Sequence, residues 1–206
     1  MALLHKAQIT PTKLELLAAW LPAQPWYDGP ATPAPERVAA ARLDDPAGEV
    51  GIEIMLVGAG DGLVWHIPLT YRGAPLEGAG AWLVGTTEHS VLGTRWVYDA
   101  TGDPVYVAQL AAVIREAGHE AAEEFEIDGK RVPREGDTKL TGSGADVAAP
   151  TTVTGVRAGE PTVITTDTVT ISVNRVPTTA VDPADAGVLT ACWSGQEVPV
   201  VLARLR

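Results

Sequence analysis

The sequence has almost none of the features that mark disulfide-bonded, secreted or membrane-embedded proteins. Its 206 residues include one cysteine, Cys192, so no disulfide can form within the chain. No apolar run approaches the roughly 20 residues that span a membrane, and the opening MALLHKAQIT is too short an apolar run for a signal peptide. We therefore expect a cytoplasmic protein in which Cys192 is a small buried side chain on a strand rather than a nucleophile.

Basic residues are scarce as well, and no lysine follows Lys139. The formal net charge is -11. Such a field repels nucleic acid and anionic membranes, so neither is expected as a partner. Hydrophobic residues make up 46% of the chain and charged residues 20%, which is enough apolar surface for a packed core.

Two helices are indicated by the periodicity of the sequence. The first is predicted to begin at Thr10-Pro11-Thr12, where Pro11 suits a first helical turn and Thr12 has capping-box spacing to Glu15, and to end at Pro22. The second is predicted to begin after the cap residue Asp103 and to end at Gly118.

Most of the remaining sequence alternates between apolar and polar residues and is predicted to form strands. These are a long hairpin around Gly58–Gly62, a pair joined by residues 89–93, a strand around Phe125, one long strand from Val163 to Val173, and a hairpin across residues 194–197. The order of elements predicts an α+β fold, mostly antiparallel sheet with two helices. The interval 129–150, rich in glycine, proline and charge, is the predicted boundary between two domains, residues 1–130 and residues 150–206.

No group of residues predicts an enzyme site, a cofactor or a metal. Gly142-Ser143-Gly144 is not followed by a lysine, so we interpret it as a flexible linker rather than a phosphate loop. His89, Ser90 and Asp99 could be combined into a catalytic group, but neighbours on a strand point to opposite faces and no G-x-S-x-G elbow is present. The acidic run Glu120, Glu123, Glu124, Glu126 and Asp128 is interpreted as including the solvated face of a strand.

Trp26 and Tyr27 are the candidate contact residues of this sequence. They lie in a loop rich in proline and glycine, where aromatic side chains are hard to bury and can form a platform for a sugar or a protein. The alternative is that the loop packs back onto the first helix.

Several motifs, in order, resemble the N-terminal cap of maltokinases. Leu21–Gly29 is similar to the L-P-x-Q-R-W-F-x-G stretch of that family, with Pro25 in place of the arginine. The further matching segments are Val64–Arg72, Leu83–Thr86, Glu88–Asp99 and Asp103-Pro104. The resemblance covers residues 10 to 117, is closest to short stand-alone actinobacterial members, and implies a cystatin-like topology for the cap. It also suggests that Arg95, Asp99 and Asp103 brace the turn before the second helix.

The second half of the chain resembles a small kinase lobe that has lost its lysine. Val156–Val163 is similar to the first strand and turn of the maltokinase kinase lobe, and Ser172 falls where the family has its nucleotide-contacting lysine. Val188–Arg206 resembles the later strands of that lobe. The resemblance therefore implies a degenerate, truncated kinase N-lobe over residues 150–206, without the catalytic lobe.

The resemblance implies a non-catalytic interaction or regulatory module in actinobacterial maltose, trehalose and α-glucan metabolism. A protein partner or a homodimer formed through a sheet edge is expected, and a carbohydrate ligand is a further candidate. The alternative is a small protein that binds or acts on α-glucans, since similar sequences carry labels as branching proteins. That chemistry needs a pair of carboxylates about 5–10 Å apart in a pocket.

Overall fold

The computed structural model describes residues 2–4, 7–60, 62–127, 130–179 and 186–206, with the backbone alone at 2–4, 125–127 and 130. Over these residues it has two α-helices, α1 (Lys13–Trp20) and α2 (Pro104–Arg115). The strands are β1 (Ala2–Leu4), β2 (Ile9–Thr10), β3 (Glu36–Leu43), β4 (Gly51–Gly58), β5 (Val64–Arg72), β6 (Leu83–His89), β7 (Gly93–Asp99), β8 (Glu123–Ile127), β9 (Lys130–Arg134), β10 (Thr138–Gly142), β11 (Val153–Arg157), β12 (Thr162–Thr166), β13 (Thr170–Thr178), β14 (Val188–Trp193) and β15 (Gln196–Leu205). The fold is α+β and mostly antiparallel, as predicted.

The first six-stranded sheet has the order β2-β6-β7-β5-β4-β3, with every pairing antiparallel. The predicted hairpin is β4–β5, which pairs without a break from Gly51 and Tyr71 to Gly58 and Val64. In the predicted turn of this hairpin, Asp61 lies outside the described residues. The second predicted pair is β6–β7. The alanine-rich strand β3 was not predicted.

The second six-stranded sheet has the order β10-β14-β15-β13-β12-β11 and is also antiparallel. The predicted single strand from Val163 to Val173 is wrong, because the chain turns back between β12 and β13. The hydroxyl of Thr166 holds that turn by accepting hydrogen bonds from the backbone N–H groups of Thr168 and Val169. A small third sheet, β1-β8-β9, contains a parallel pair, β1–β8. Cys192 lies on β14 as predicted, but it is half-buried.

The capping box at Thr12 and the cap at Asp103 are confirmed, but Pro11 precedes the N-cap Thr12 and does not lie in the first turn of α1 as predicted. Thr12 and Glu15 form a complete capping box in front of α1. The carboxylate of Asp103 accepts a hydrogen bond from the N–H of Val105 at the start of α2, and it also binds Arg72 through two contacts of 2.7 Å. Helix α2 ends at Arg115, three residues before the predicted Gly118. Neither helix is long and apolar enough to cross a membrane.

Helix α2 packs on β10 and β14 of the second sheet and contributes to the apolar core that the two large sheets share. Its inward residues belong to one apolar cluster with Ile54 and Leu56 of β4 and with Ile171 and Leu202 of the second sheet. The division into residues 1–130 and 150–206 stays a prediction. Strand β10 lies inside the predicted boundary region and belongs to the second sheet. Strands of the first and second sheets also share one apolar core.

Gly142-Ser143-Gly144 packs tightly against α2 and is not a flexible linker. A Cβ atom at Gly142 would lie 2.0 Å from the carbonyl oxygen of Val113, so a residue with a side chain would push the helix away. The Ser143 hydroxyl accepts a hydrogen bond from the N–H of Val188, and the Ser143 N–H donates to the Val188 carbonyl. The glycines therefore serve close packing between strand and helix.

A buried ion pair links the end of β7 to β13. The Arg175 guanidinium donates to the Asp99 carboxylate at 2.6 Å, and both side chains are buried. The same guanidinium donates to the hydroxyls of Thr101 and Thr162 and lies 4.5 Å from the ring centroid of Trp26. These contacts offset the cost of removing two charges from water.

We expect Arg175→Met to lower the free energy of unfolding by about 3–5 kcal/mol, because it leaves the Asp99 carboxylate buried without its partner. Urea denaturation measures the loss. The matched control is Arg157→Met, on the edge strand β11, where the side chain is exposed and a change within about 0.5 kcal/mol is expected.

The double variant Asp99→Leu/Arg175→Met should be more stable than Arg175→Met alone, because an apolar pair leaves no buried charge unpaired. Equal stability of Arg175→Met and Arg157→Met would contradict the role given to this ion pair.

Candidate functional site

A cleft of about 700 Å³ opens on the face of the first sheet that α1 covers only in part. On this face, four strands change from an apolar side chain under the helix to a polar side chain in the cleft. The pairs, with the apolar residue first, are Ala40 and Arg42 on β3, Met55 and Glu53 on β4, Leu69 and Tyr71 on β5, and Val97 and Arg95 on β7. Because α1 has eight residues, it covers the apolar part and leaves the polar part open.

Glu53 lies at the centre of the cleft floor. Its carboxylate accepts hydrogen bonds from the Lys13 Nζ and from the Tyr71 hydroxyl, each at 2.5 Å. The Arg42 Nη2 lies 3.8 Å from the other carboxylate oxygen. The side chain of Glu53 is 7% exposed, so contacts with these three neighbours take the place of most of the hydration of its carboxylate.

The protonation of these groups is fixed by their surroundings. Burial by itself would raise the pKa of Glu53, but the charges of Lys13 and Arg42 and the hydrogen bonds from Lys13 and Tyr71 hold it at about 2. Burial raises the pKa of Tyr71 well above its usual value, and the negative charge of Glu53 adds to this effect. Burial also lowers the pKa of Lys13, against the attraction of Glu53. At neutral pH, Glu53 is thus a carboxylate and Tyr71 a neutral donor.

A second carboxylate, Glu123 of β8, also lies near Arg42. It is 3.9 Å from the Arg42 Nε and 3.2 Å from the Arg134 Nη1, with 11% of its side chain exposed. The acidic run was predicted to include the solvated face of a strand, and Glu123 is not part of such a face because two arginines cover it. Glu120 accepts a hydrogen bond from the N–H of Leu140. The side chain of Glu126 and the whole of Asp128 lie outside the described residues.

The rim of the cleft is formed in part by the turn between β6 and β7. Arg95 lines the cleft and does not brace the turn before α2, which Asp99 and Asp103 do through their N-cap hydrogen bonds. The Arg95 Nη2 donates to the Leu92 carbonyl, and its Nε has no hydrogen-bond partner among the described residues. Leu92 lines the same rim with 45% of its surface exposed.

Trp26 lies in the core beneath α1, not on an exposed platform. It is 5% exposed, and its ring centroid lies 5.7 Å from that of Trp20 and 5.9 Å from that of Trp65. The expectation of an exposed contact is therefore wrong for Trp26, because the loop packs back onto the helix and the sheet. Tyr27 is half-buried, with its ring 4.9 Å from that of Trp65.

The segment Leu21–Gly29 has a structural reason for its composition. The Gln24 side-chain amide donates to the carbonyl of Trp20 at the end of α1. The Tyr27 ring folds over Gly29, where a Cβ atom would lie 2.6 Å from the Tyr27 hydroxyl oxygen. Since this segment seals one end of the sheet face, its aromatic residues act in packing.

His89, Ser90 and Asp99 are not brought together. The His89 Nδ1 accepts hydrogen bonds from the N–H groups of Val91 and Leu92, and the Ser90 hydroxyl accepts one from the N–H of Gln8. Asp99 is buried with Arg175. Over the described residues, no group of three or more histidine, cysteine, aspartate or glutamate side chains is placed to hold a metal ion.

Sequence reasoning missed the cleft, although one signal for it was present. Strand β4 is apolar on both faces except at Glu53. A lone carboxylate in such a strand indicates a buried charge with partners. Those partners come from α1, β3 and β5, which the sequence alone does not bring together.

The depressed pKa of Glu53 makes part of the stability dependent on pH. The folded protein binds a proton at Glu53 less readily than the unfolded chain does, so this contribution is complete above about pH 4.5 and is lost as the pH falls towards 2. The contribution is roughly 3 kcal/mol, at 1.36 kcal/mol for each pH unit. Unfolding of wild type and Glu53→Gln should therefore differ most near pH 7 and converge towards pH 2.

The exposed Glu116 offers a control, and Glu116→Gln should follow the wild type over the whole pH range. A constant difference between wild type and Glu53→Gln from pH 7 to pH 2 would contradict the assigned ionisation.

A comparison with protein families gives one match. The family model of the maltokinase N-terminal cap domain matches residues 20–103. A search of curated proteins finds no match to the chain. The matched segment runs from the last residue of α1 to the N-cap of α2 and contains the strands β3 to β7, which carry most of the cleft floor. Residues 20–103 of this chain are therefore similar to the maltokinase N-terminal cap domain.

Proposed function

We propose that the protein is a non-catalytic, cytoplasmic binding module of maltose, trehalose and α-glucan metabolism in an actinobacterium. It acts by binding a protein partner, a second copy of itself or a carbohydrate. The similarity to the maltokinase N-terminal cap domain supports the link to maltokinases. The metabolic setting rests on the sequence resemblance, since fold similarity alone does not assign a function.

The observation that carries this proposal is the ionisation of the cleft. General acid–base catalysis works best with a group whose pKa lies near the working pH. The pKa of Glu53 is about 2 and that of Tyr71 is well above its usual value, so neither group exchanges a proton readily at pH 7. The ionisation of these two groups is suited to holding a ligand in place.

Strand β13 of the second sheet offers no lysine for phosphoryl transfer, and Lys139 of the same sheet lies on the edge strand β10, where it faces Glu120. In protein kinases the lysine for phosphoryl transfer lies on the third strand of the small lobe. Strand β13 is the third strand of the meander β11–β12–β13, and it carries Ser172 between its neighbours Val163 and Arg204. We propose that residues 150–206 are a degenerate kinase N-lobe and that the cap has a cystatin-like topology. The antiparallel order of β11, β12 and β13 supports the assignment of residues 150–206 as a degenerate kinase N-lobe.

One observation favours the alternative of a glucan-acting enzyme. Glu53 and Glu123 both approach Arg42, at 3.8 Å from its Nη2 and 3.9 Å from its Nε, so two carboxylates lie beside one guanidinium within the cleft. Glycoside hydrolysis uses two carboxyl groups about 5–10 Å apart. It also needs an acid whose pKa is raised, whereas the pKa of Glu53 is lowered. The presence of two carboxylates in one cleft thus fits glycoside hydrolysis, whereas the lowered pKa of Glu53 does not.

Thermal unfolding with saturating ligands tests the proposal. A ligand present at a hundred times its dissociation constant adds roughly 2.7 kcal/mol, which raises the melting temperature of a chain of this size by about 2–4 °C. We expect no rise with Mg-ATP, and no release of phosphate from ATP. A rise with Mg-ATP together with phosphate release would contradict the non-catalytic assignment.

The alternative is tested separately by incubating the protein with amylose and measuring reducing ends and branch content. We expect no change in either. Turnover that is present in wild type, lost in Glu53→Gln and kept in Glu116→Gln would make the protein an enzyme.

A further inference from the structure

We propose that the cleft between α1 and the first sheet binds a short, neutral oligosaccharide. This inference rests on the proposed function and names the class of ligand that the module takes. At about 700 Å³, the cleft falls within the 300–1,000 Å³ range that is usual for small-molecule sites.

The balance of charge in the cleft excludes an anion as the preferred ligand. Among the described residues, five basic and five acidic side chains line it. Phosphate and carboxylate ligands are bound by cations that lack other partners. Here Lys13 is engaged by Glu53, and Arg42 and Arg134 by Glu123. Arg37 is engaged by Asp137, and Arg95 donates to the carbonyl of Leu92. The chain as a whole carries a charge of -11, which further opposes an anion.

A neutral polyhydroxylated ligand fits the same groups. Each sugar hydroxyl can donate one hydrogen bond and accept others, as serine and threonine hydroxyls do. The row Lys13, Glu53, Arg42 and Glu123 alternates cation and carboxylate across the floor, with successive N–O distances of 2.5, 3.8 and 3.9 Å. Donors therefore lie beside acceptors at spacings that neighbouring hydroxyls can bridge.

The donors and acceptors of the floor are also held in fixed positions. Glu53 is bound by Lys13 and Tyr71, and the Lys13 ammonium lies 5.0 Å from the Tyr71 ring centroid, which restricts its position. Such preorganisation lowers the entropy cost of binding. A carboxylate with a pKa of about 2 keeps its accepting oxygens over the whole physiological range.

The rim supplies an apolar contact. Leu92 is 45% exposed at the rim, where it can cover the C–H surface of a sugar ring. Arg95 lines the cleft beside it and donates from Nη2 to the Leu92 carbonyl, which holds the turn in place. Leu92 is therefore placed to contact a ligand that reaches from the floor to solvent.

Leu92→Trp tests the site by filling its rim, and Val91→Trp is the matched control. The two residues are neighbours on one turn, 45% and 57% exposed, and of the two only Leu92 lines the cleft. Titration calorimetry with maltotriose should detect binding to wild type, a loss of affinity of at least about tenfold in Leu92→Trp, and a value within about twofold of wild type in Val91→Trp. Because both side chains are exposed, neither variant is expected to disturb folding.

A second titration separates a neutral ligand from an anion. Maltotriose affinity should stay the same between 50 mM and 500 mM NaCl, whereas binding of an anion would weaken with salt. Pyrophosphate is the anionic probe and should not bind. Tight, salt-sensitive binding of pyrophosphate that Leu92→Trp abolishes, without binding of maltotriose, would overturn the proposal.

Two further outcomes would also overturn it: equal maltotriose affinity in Leu92→Trp and Val91→Trp, or no maltotriose binding to wild type. Neither outcome bears on the proposal that the protein is non-catalytic, which turnover of ATP or of a glucan would contradict. The two proposals can therefore fail independently.

Discussion

The ion pair between Arg175 and Asp99 is the contact on which the arrangement of the two large sheets depends. It joins residues 76 positions apart in the sequence and lies where β7 ends and the chain turns towards α2. Asp99 also accepts hydrogen bonds from Thr101 and so starts that turn. Arg175 covers Trp26, which closes the core beneath α1. One guanidinium thus contacts both parts of the fold, and a shift in either would expose a buried charge.

The cleft follows from the way in which the first sheet is covered. One of its faces packs on α2 and the second sheet, while the other is covered by a helix of only eight residues and by the loop that contains Trp26. Beyond the helix, apolar side chains would be left in water, and the strands carry charged or hydroxyl-bearing residues there instead. These residues are paired with one another because each is only partly hydrated.

Local features of the fold could be predicted, whereas features that depend on distant pairing could not. The capping box at Thr12 and the hairpin β4–β5 need only a few neighbouring residues. Strand β3 was missed because its alanines carry little strand preference, and it forms by pairing with β4. The burial of Trp26 could not be read from its loop, because the cation that covers it comes from β13. The cleft was missed for the same reason.

The match to the cap family and the packed core of the first sheet end at different places in the chain. The match ends at residue 103, the N-cap of α2, whereas the apolar cluster on the second face of the matched sheet also includes residues of α2 and of the second sheet. Residues 20–103 alone would leave Ile54 and Leu56 facing water, so the cap depends on apolar cover supplied by the chain that follows it. In this protein that cover comes from α2 and the second sheet. The matched segment is therefore one side of a packed interface within this chain. The hydrophobic core to which it belongs extends beyond the residues that match the family.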